Sequence, residues 1–211
     1  AYICYQKTTS VDIQNTNSFS LNDFTNTFLT SSFEHVTFSQ DNFIFPERTK
    51  VFTKIGFGNR TISSTKSNQF FGQLEVSHHF ELNQKNSILI KNQSYYLQSD
   101  DYVINELYRF GGINSIRGFR ENSLQGNLFA SILSEYRFIL ANNLYLYSIV
   151  DYGYYEDQTT FLEDSLIGLG MGFSILTKNG QFNFIYANGK SGNQDFDLTN
   201  SIIQINFKAR F

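Results

Sequence analysis

The residues of this chain that could do chemistry are mostly charged, and the densest group of them stands in one connection. Arg109-Phe110-Gly111-Gly112-Ile113-Asn114-Ser115-Ile116-Arg117-Gly118-Phe119-Arg120 is polar, glycine-bearing and strongly cationic. Downstream come two carboxylates, Glu135 and Asp151. A guanidinium presents five donors in a planar fork, so one arginine can engage two carboxylates at once. The chemistry on offer is ion pairing rather than bond cleavage. No Ser/His/Asp or Cys/His arrangement stands out, so no enzymatic activity is expected. His35, His78 and His79 lack a metal-ligand spacing, and adjacent histidines in a strand point to opposite faces, so no metal is expected. Cys4 is the single cysteine, which rules out an internal disulfide. Gly168-Leu169-Gly170-Met171-Gly172 imitates part of a nucleotide fingerprint, but it lies in an alternating strand with no helix after it. Small side chains making room for a packed loop explain it better, and no cofactor is expected.

The elements that must position these residues are strands. The chain alternates apolar and polar residues in segments of about ten, as transmembrane β-strands do. Ten such segments follow one another: about 1–13, 26–40, 50–62, 69–82, 87–98, 123–139 and 144–155, then three around 168–175, 182–187 and 201–211. The later ones alternate best. Leu128, Ala130, Ile132, Tyr136 and Phe138 share a face; Asn127, Ser131, Glu135 and Arg137 share the other. Leu146, Val150, Tyr152 and Tyr154 oppose Tyr145, Tyr147, Asp151 and Gly153. In the last segment Ile203, Ile205, Phe207, Ala209 and Phe211 oppose Gln204, Asn206, Lys208 and Arg210. This parity places Glu135 and Asp151 on the polar face of adjacent strands, where Arg117 could pair with both. On the residues alone, the plainer reading is three solvated lumen charges.

Composition agrees with an all-β chain. There are 23 Phe and 13 Tyr against one Pro and no Trp, and aromatic residues favour pleated surfaces. The formal net charge of −3 gives no pull toward nucleic acid. No run approaches the roughly 18 apolar residues of a membrane helix. Mean hydropathy is negative, which a barrel permits because only alternate residues face lipid. Residues 1–14 carry no signal-peptide pattern, so a leader is expected to have been removed or to lie upstream. Short turns at 141–143 and 178–180 alternate with longer polar connections at about 156–165 and 189–200, whose Glu156, Asp157, Glu163 and Asp164 are expected to be solvated. Outer-membrane barrels have short periplasmic turns and long external loops, which puts the arginine loop, about 99–122, on the external side. Pro46, which cannot donate to a ladder, marks a turn that breaks this rule by its length.

Ile116-Arg117-Gly118-Phe119, preceded by Gly111-Gly112, resembles the [VI]RG[FY] signature of the BamA/TamA superfamily of outer-membrane barrels. Asn105-Glu106-Leu107-Tyr108-Arg109-Phe110 resembles the approach to that loop, and Ser134-Glu135-Tyr136-Arg137-Phe138 and Val150-Asp151-Tyr152-Gly153 the strand motifs that follow it. Phe45-Pro46 resembles the family's FPxxG turn, with Arg48-Thr49 where glycine is expected. The resemblance spans essentially the whole chain. It implies an antiparallel transmembrane β-barrel meander and one domain over 1–211. These strands would be the C-terminal portion of a sixteen-strand barrel preceded by POTRA domains. A self-contained ten-strand barrel is the alternative.

In the family the matching arginine docks on the matching Glu and Asp, so the resemblance implies a loop folded into the lumen. Arg117, Gly118, Phe119, Glu135 and Asp151 would hold it. Phe207 and the terminal Phe211 resemble the signal by which such barrels are themselves assembled. The resemblance implies a Gram-negative outer-membrane location, with lipid as one partner and accessory lipoproteins as others. The first function it implies is insertion of unfolded β-barrel client proteins, working through the seam between first and last strands. The alternatives are a two-partner secretion pore exporting a polypeptide and the barrel of a patatin-like lipase fusion. A soluble β-sandwich would instead bury 201–211 in a water-soluble core.

Overall fold

A computed structural model describes residues 2–10, 24–39, 44–192 and 196–209. Ten long strands form one antiparallel sheet: β1 (Tyr2–Ser10), β2 (Phe24–Phe38), β3 (Glu47–Ile62), β4 (Thr65–Glu81), β5 (Asn86–Ser99), β8 (Leu128–Ala141), β9 (Leu144–Asp157), β10 (Leu162–Thr177), β11 (Gly180–Ser191) and β12 (Ile202–Ala209). Each long strand pairs with the long strands before and after it in the chain, the meander expected of a barrel wall. Among the described residues β1 and β12 are the two edges. Between β5 and β8 the chain leaves the sheet and forms a separate two-stranded ribbon, β6 (Tyr108–Phe110) with β7 (Leu124–Gly126).

The polarity of the sheet is the reverse of a soluble one. Along β9, Tyr145, Tyr147, Ile149 and Asp151 are buried, while Leu146, Val150 and Tyr152 are exposed. Leu169 and Met171 on β10 and Ile203, Ile205 and Phe207 on β12 stand outward on the same apolar face. Water-soluble monomers rarely expose a contiguous apolar face of this kind. The opposite face holds Ser131 and Asp151, both buried, and Arg117 of the arginine loop is buried against it. Alternation along Ile202–Ala209 therefore directs Ile203, Ile205 and Phe207 away from the protein interior.

The strands run further than the apolar pattern does. The polar stretch 63–68 is mostly strand, because β4 begins at Thr65, which pairs with Ile62 and leaves Ser63 and Ser64 as the turn. Likewise 156–165 is not a long loop: Leu162 pairs with Asp157 and Glu163 with Glu156. Ladder hydrogen bonds need only backbone, so strands extend past their apolar band with polar side chains. Asp157 is accordingly buried, not solvated, and accepts hydrogen bonds from the Thr159 backbone N–H at 2.8 Å and from its hydroxyl at 2.5 Å. The strand expected from 123 is broken at Asn127: Leu124–Gly126 belongs to the ribbon, and the sheet resumes at Leu128.

The turn at Pro46 also does more than connect. Ser39 N–H donates to the Pro46 carbonyl at 2.8 Å, and Phe45 is buried against Tyr145 of β9, with ring centroids 4.7 Å apart. This turn thus reaches across the inner face from β3 to β9. Val11 and Ile13, expected in the first strand, and Arg210 and Phe211 at the end of the last lie outside the described residues.

Candidate functional site: a docked arginine loop

Glu135 and Asp151 are carried by neighbouring strands. Leu133 of β8 pairs with Asp151 of β9, and Glu135 with Ile149, so the two carboxylates lie diagonally on the same face. The loop comes to them from the β6–β7 ribbon. Its path is shaped by Gly111 and Gly112, which have φ of 99° and 103°. Ser115 N–H donates to the Gly112 carbonyl at 3.2 Å, and Gly112 N–H to the Ile116 carbonyl at 3.1 Å, closing a tight turn. Ile113 N–H donates to the Glu121 carboxylate at 3.2 Å, which ties the two sides of the loop together.

Arg117 is held on three sides. Its backbone N–H donates to Asp151 Oδ2 at 3.0 Å, its Nε to the same oxygen at 2.8 Å, and its Nη2 to Oδ1 at 2.5 Å. Its Nη1 donates to Glu135 Oε1. The Arg117 side chain is 3% exposed and that of Asp151 0%. Burial opposes the guanidinium's charge. The Asp151 hydrogen bonds and the Glu135 charge outweigh that opposition and hold its pKa above the ordinary arginine value. Arg137 completes the group: its Nε donates to the other oxygen of Glu135 at 2.7 Å, and its guanidinium lies 4.7 Å from the Phe45 ring centroid. The Glu135 carboxylate therefore joins the arginine loop, from one end of the sheet, to the Pro46 turn, from the other.

Around the charges the fit is steric and apolar. Ile116 and Phe110 are fully buried in a cluster with Phe129, Leu133, Tyr155 and Leu166, and Phe110 stacks on Phe129 at 4.1 Å. Burying side chains of this size contributes about 1.5–3 kcal/mol each. Gly118 has φ of 89°, and a Cβ there would run into the backbone of Asn188 and Gly189 on β11. Gly168 is needed for a related reason, since a Cβ would strike the Arg117 carbonyl. A Cβ at Gly153 would come within 3.0 Å of Ile116 Cδ1. Gly170 does not touch the loop; its crowding is with Tyr186 and Ala187 of the next strand. Phe119 is half-buried against the same cluster, and Gln204 of β12 donates to its carbonyl at 3.4 Å. The loop thus spans the inner face from β8 to β12.

The structure places Arg117, Gly118, Phe119, Glu135 and Asp151 in one contact group. It places Phe207 elsewhere, exposed on the outer face, and Phe211 lies outside the described residues. Arg137 has the same parity as Glu135, a signal that could have added it. His79 is buried beside Phe45 at 4.5 Å, and His78 hydrogen-bonds Thr49 at 2.8 Å, so each has a packing partner. Among the described residues no group of three His, Cys, Asp or Glu side chains converges.

Fold and site together define a class: an antiparallel barrel-type meander, apolar outside, with an internal loop clamped to its inner face. No family model matches the chain, and no curated protein does. Among solved structures, CdiB from Acinetobacter baumannii shares the fold, with a TM-score of 0.62 at 13% identity over 87% of this chain. The match covers 33% of CdiB, so the chain spans about a third of that protein's length.

Proposed function

We propose that this chain is the C-terminal part of an outer-membrane β-barrel of the Omp85 type, and that the whole protein exports a polypeptide partner. The observation that carries this is the Arg117 fork on Glu135 and Asp151, which fastens a long loop inside the wall instead of leaving it in solvent. The likeness to CdiB, a two-partner secretion transporter, favours export over the alternatives. The outward apolar face suits lipid.

The residues divide the work as follows. Arg117 and Asp151 pin the loop tip, and Glu135 couples it to Arg137. The loop does not fill the inner face: a polar cavity of about 530 Å³ lies beside Arg117, Glu135, Arg137, Asn183 and Lys208. A passing polypeptide would run along this polar lining, with the loop setting the width. Insertion of β-barrel clients is the second reading; it would work at the edge that β12 forms among the described residues. The test is a strain expressing the full-length gene with its neighbouring genes, comparing wild type with Arg117→Ala and Asp151→Asn. Export predicts loss of one secreted polypeptide with other barrel proteins unchanged. Client insertion predicts a fall in several outer-membrane barrels together. If neither moves while the variants still reach the membrane, the loop is not part of the working machinery.

A further inference from the structure

A second charged cluster, sharing no residue with the Arg117 group, ties down the root of the same loop. Arg60 projects from β3 to the inner face, and its side chain is 1% exposed. Its Nη1 pairs with Glu106 Oε1 and also donates to the Asp101 carbonyl at 3.2 Å, while its Nη2 lies 2.6 Å from Asp101 Oδ1. Asp101 and Glu106 both belong to the segment between β5 and β6, where the chain leaves the sheet. Each carboxylate has a further partner on β4. Gln69 donates to Glu106 Oε2 at 2.8 Å, and Ser67 donates to Asp101 Oδ1 at 2.9 Å. Glu106 Oε1 also accepts from the Val103 backbone N–H at 3.1 Å, which fixes the short 3-10 turn Ile104–Glu106.

A buried guanidinium without a carboxylate is strongly unfavourable. Arg60 finds its carboxylates only when 101–106 lies against β3 and β4. That segment runs directly into β6, and the β6–β7 ribbon carries its position on to Arg117. We propose that Arg60 is a positioning residue for the arginine loop. With Glu106 it forms a second clamp that sets where the loop leaves the wall, and so keeps Arg117 within reach of Asp151. Held at both root and tip, the loop bridges from β3 to β12 across the inner face. The proposal deepens the reading of this loop as the working part, and rests on that reading only for its consequence in export.

Hydrogen–deuterium exchange read by mass spectrometry on the purified full-length protein tests it. The variants are Arg60→Gln, Glu106→Gln, their double and Arg117→Ala. Arg60→Gln is expected to speed exchange of peptides covering 101–120 by about tenfold, as local opening requires, with β3 and β4 still protected. The double variant is expected to exchange no faster than the worse single one, because the second loss removes one end of an ion pair that the first has already broken. If Arg60→Gln fails to fold, Glu106→Gln carries the same test from the loop side. Unchanged loop exchange in Arg60→Gln or Glu106→Gln, alongside faster exchange in Arg117→Ala, overturns the proposal. So do effects of Arg60→Gln and Glu106→Gln that simply add. Exchange does not depend on export, so a failure of the export reading leaves this result standing by itself.

Discussion

Arg117 binds Asp151 twice over: one carboxylate oxygen takes both the backbone N–H, at 3.0 Å, and the side-chain Nε, at 2.8 Å. Main chain and side chain of the loop tip are therefore locked to the same atom of the wall. A lysine could not reproduce this, having no planar fork to share between Asp151 and Glu135.

Breaking that pair leaves a buried carboxylate uncompensated, which costs about 3–5 kcal/mol. Arg117→Ala and Asp151→Asn should each destabilise the docked loop by about that much. The double variant should cost much less than their sum, since neither charge is then stranded. Heat-resistant gel mobility and denaturant unfolding read both. Simple additivity between the two sites would contradict a direct pair.

Gly168→Ala should also loosen the loop, though by less than a charge deletion, and it does so without removing any group. The new methyl strikes the Arg117 carbonyl, and overpacking of this kind costs about 1–3 kcal/mol. Faster exchange of 111–120, with β9 and β10 unaffected, is the expected result. Gly170→Ala, crowded only by the neighbouring strand, should instead disturb the β10–β11 pairing and spare the loop.

Phe110→Ala empties the apolar cluster beneath the loop and should cost about 3–5 kcal/mol. Calorimetry or denaturant unfolding checks it. The loss should exceed that of Tyr108→Ala, because Phe110 is the more completely buried of the two.

Met171 stands 65% exposed on the outer face. If that face meets lipid, Met171→Arg should lower folding stability in vesicles by about 2–4 kcal/mol when the site lies near the bilayer midplane. On a water-facing sheet the same change should be close to neutral. Folding yield into phospholipid vesicles distinguishes the two.

Period-two alternation made the strands legible before any coordinates. Side chains in a strand must point alternately to the two faces, so Leu146, Val150 and Tyr152 could be separated from Tyr147 and Asp151 by parity alone. The same rule put Glu135 and Asp151 on one face. It could not mark strand ends. Thr65–Asn68 and Glu163-Asp164 carry no apolar alternation, yet they ladder, because backbone hydrogen bonding ignores side-chain polarity. Nor could it separate Leu124–Gly126 from the sheet, since three residues carry too little pattern to show which partner they choose.

What the sequence determined by itself was therefore the local alphabet: an all-β meander, its two faces, and an arginine with two carboxylates at compatible parity. Tertiary structure decided the rest. That Phe45 crosses the inner face to meet Arg137, that Gly168 rather than Gly170 seats the loop, and that Arg60 grips Glu106 all follow from the path of connections in space. Periodicity constrains residues a few positions apart; those contacts join residues dozens of positions apart, and only the register of the strands and the path of the connections bring them together.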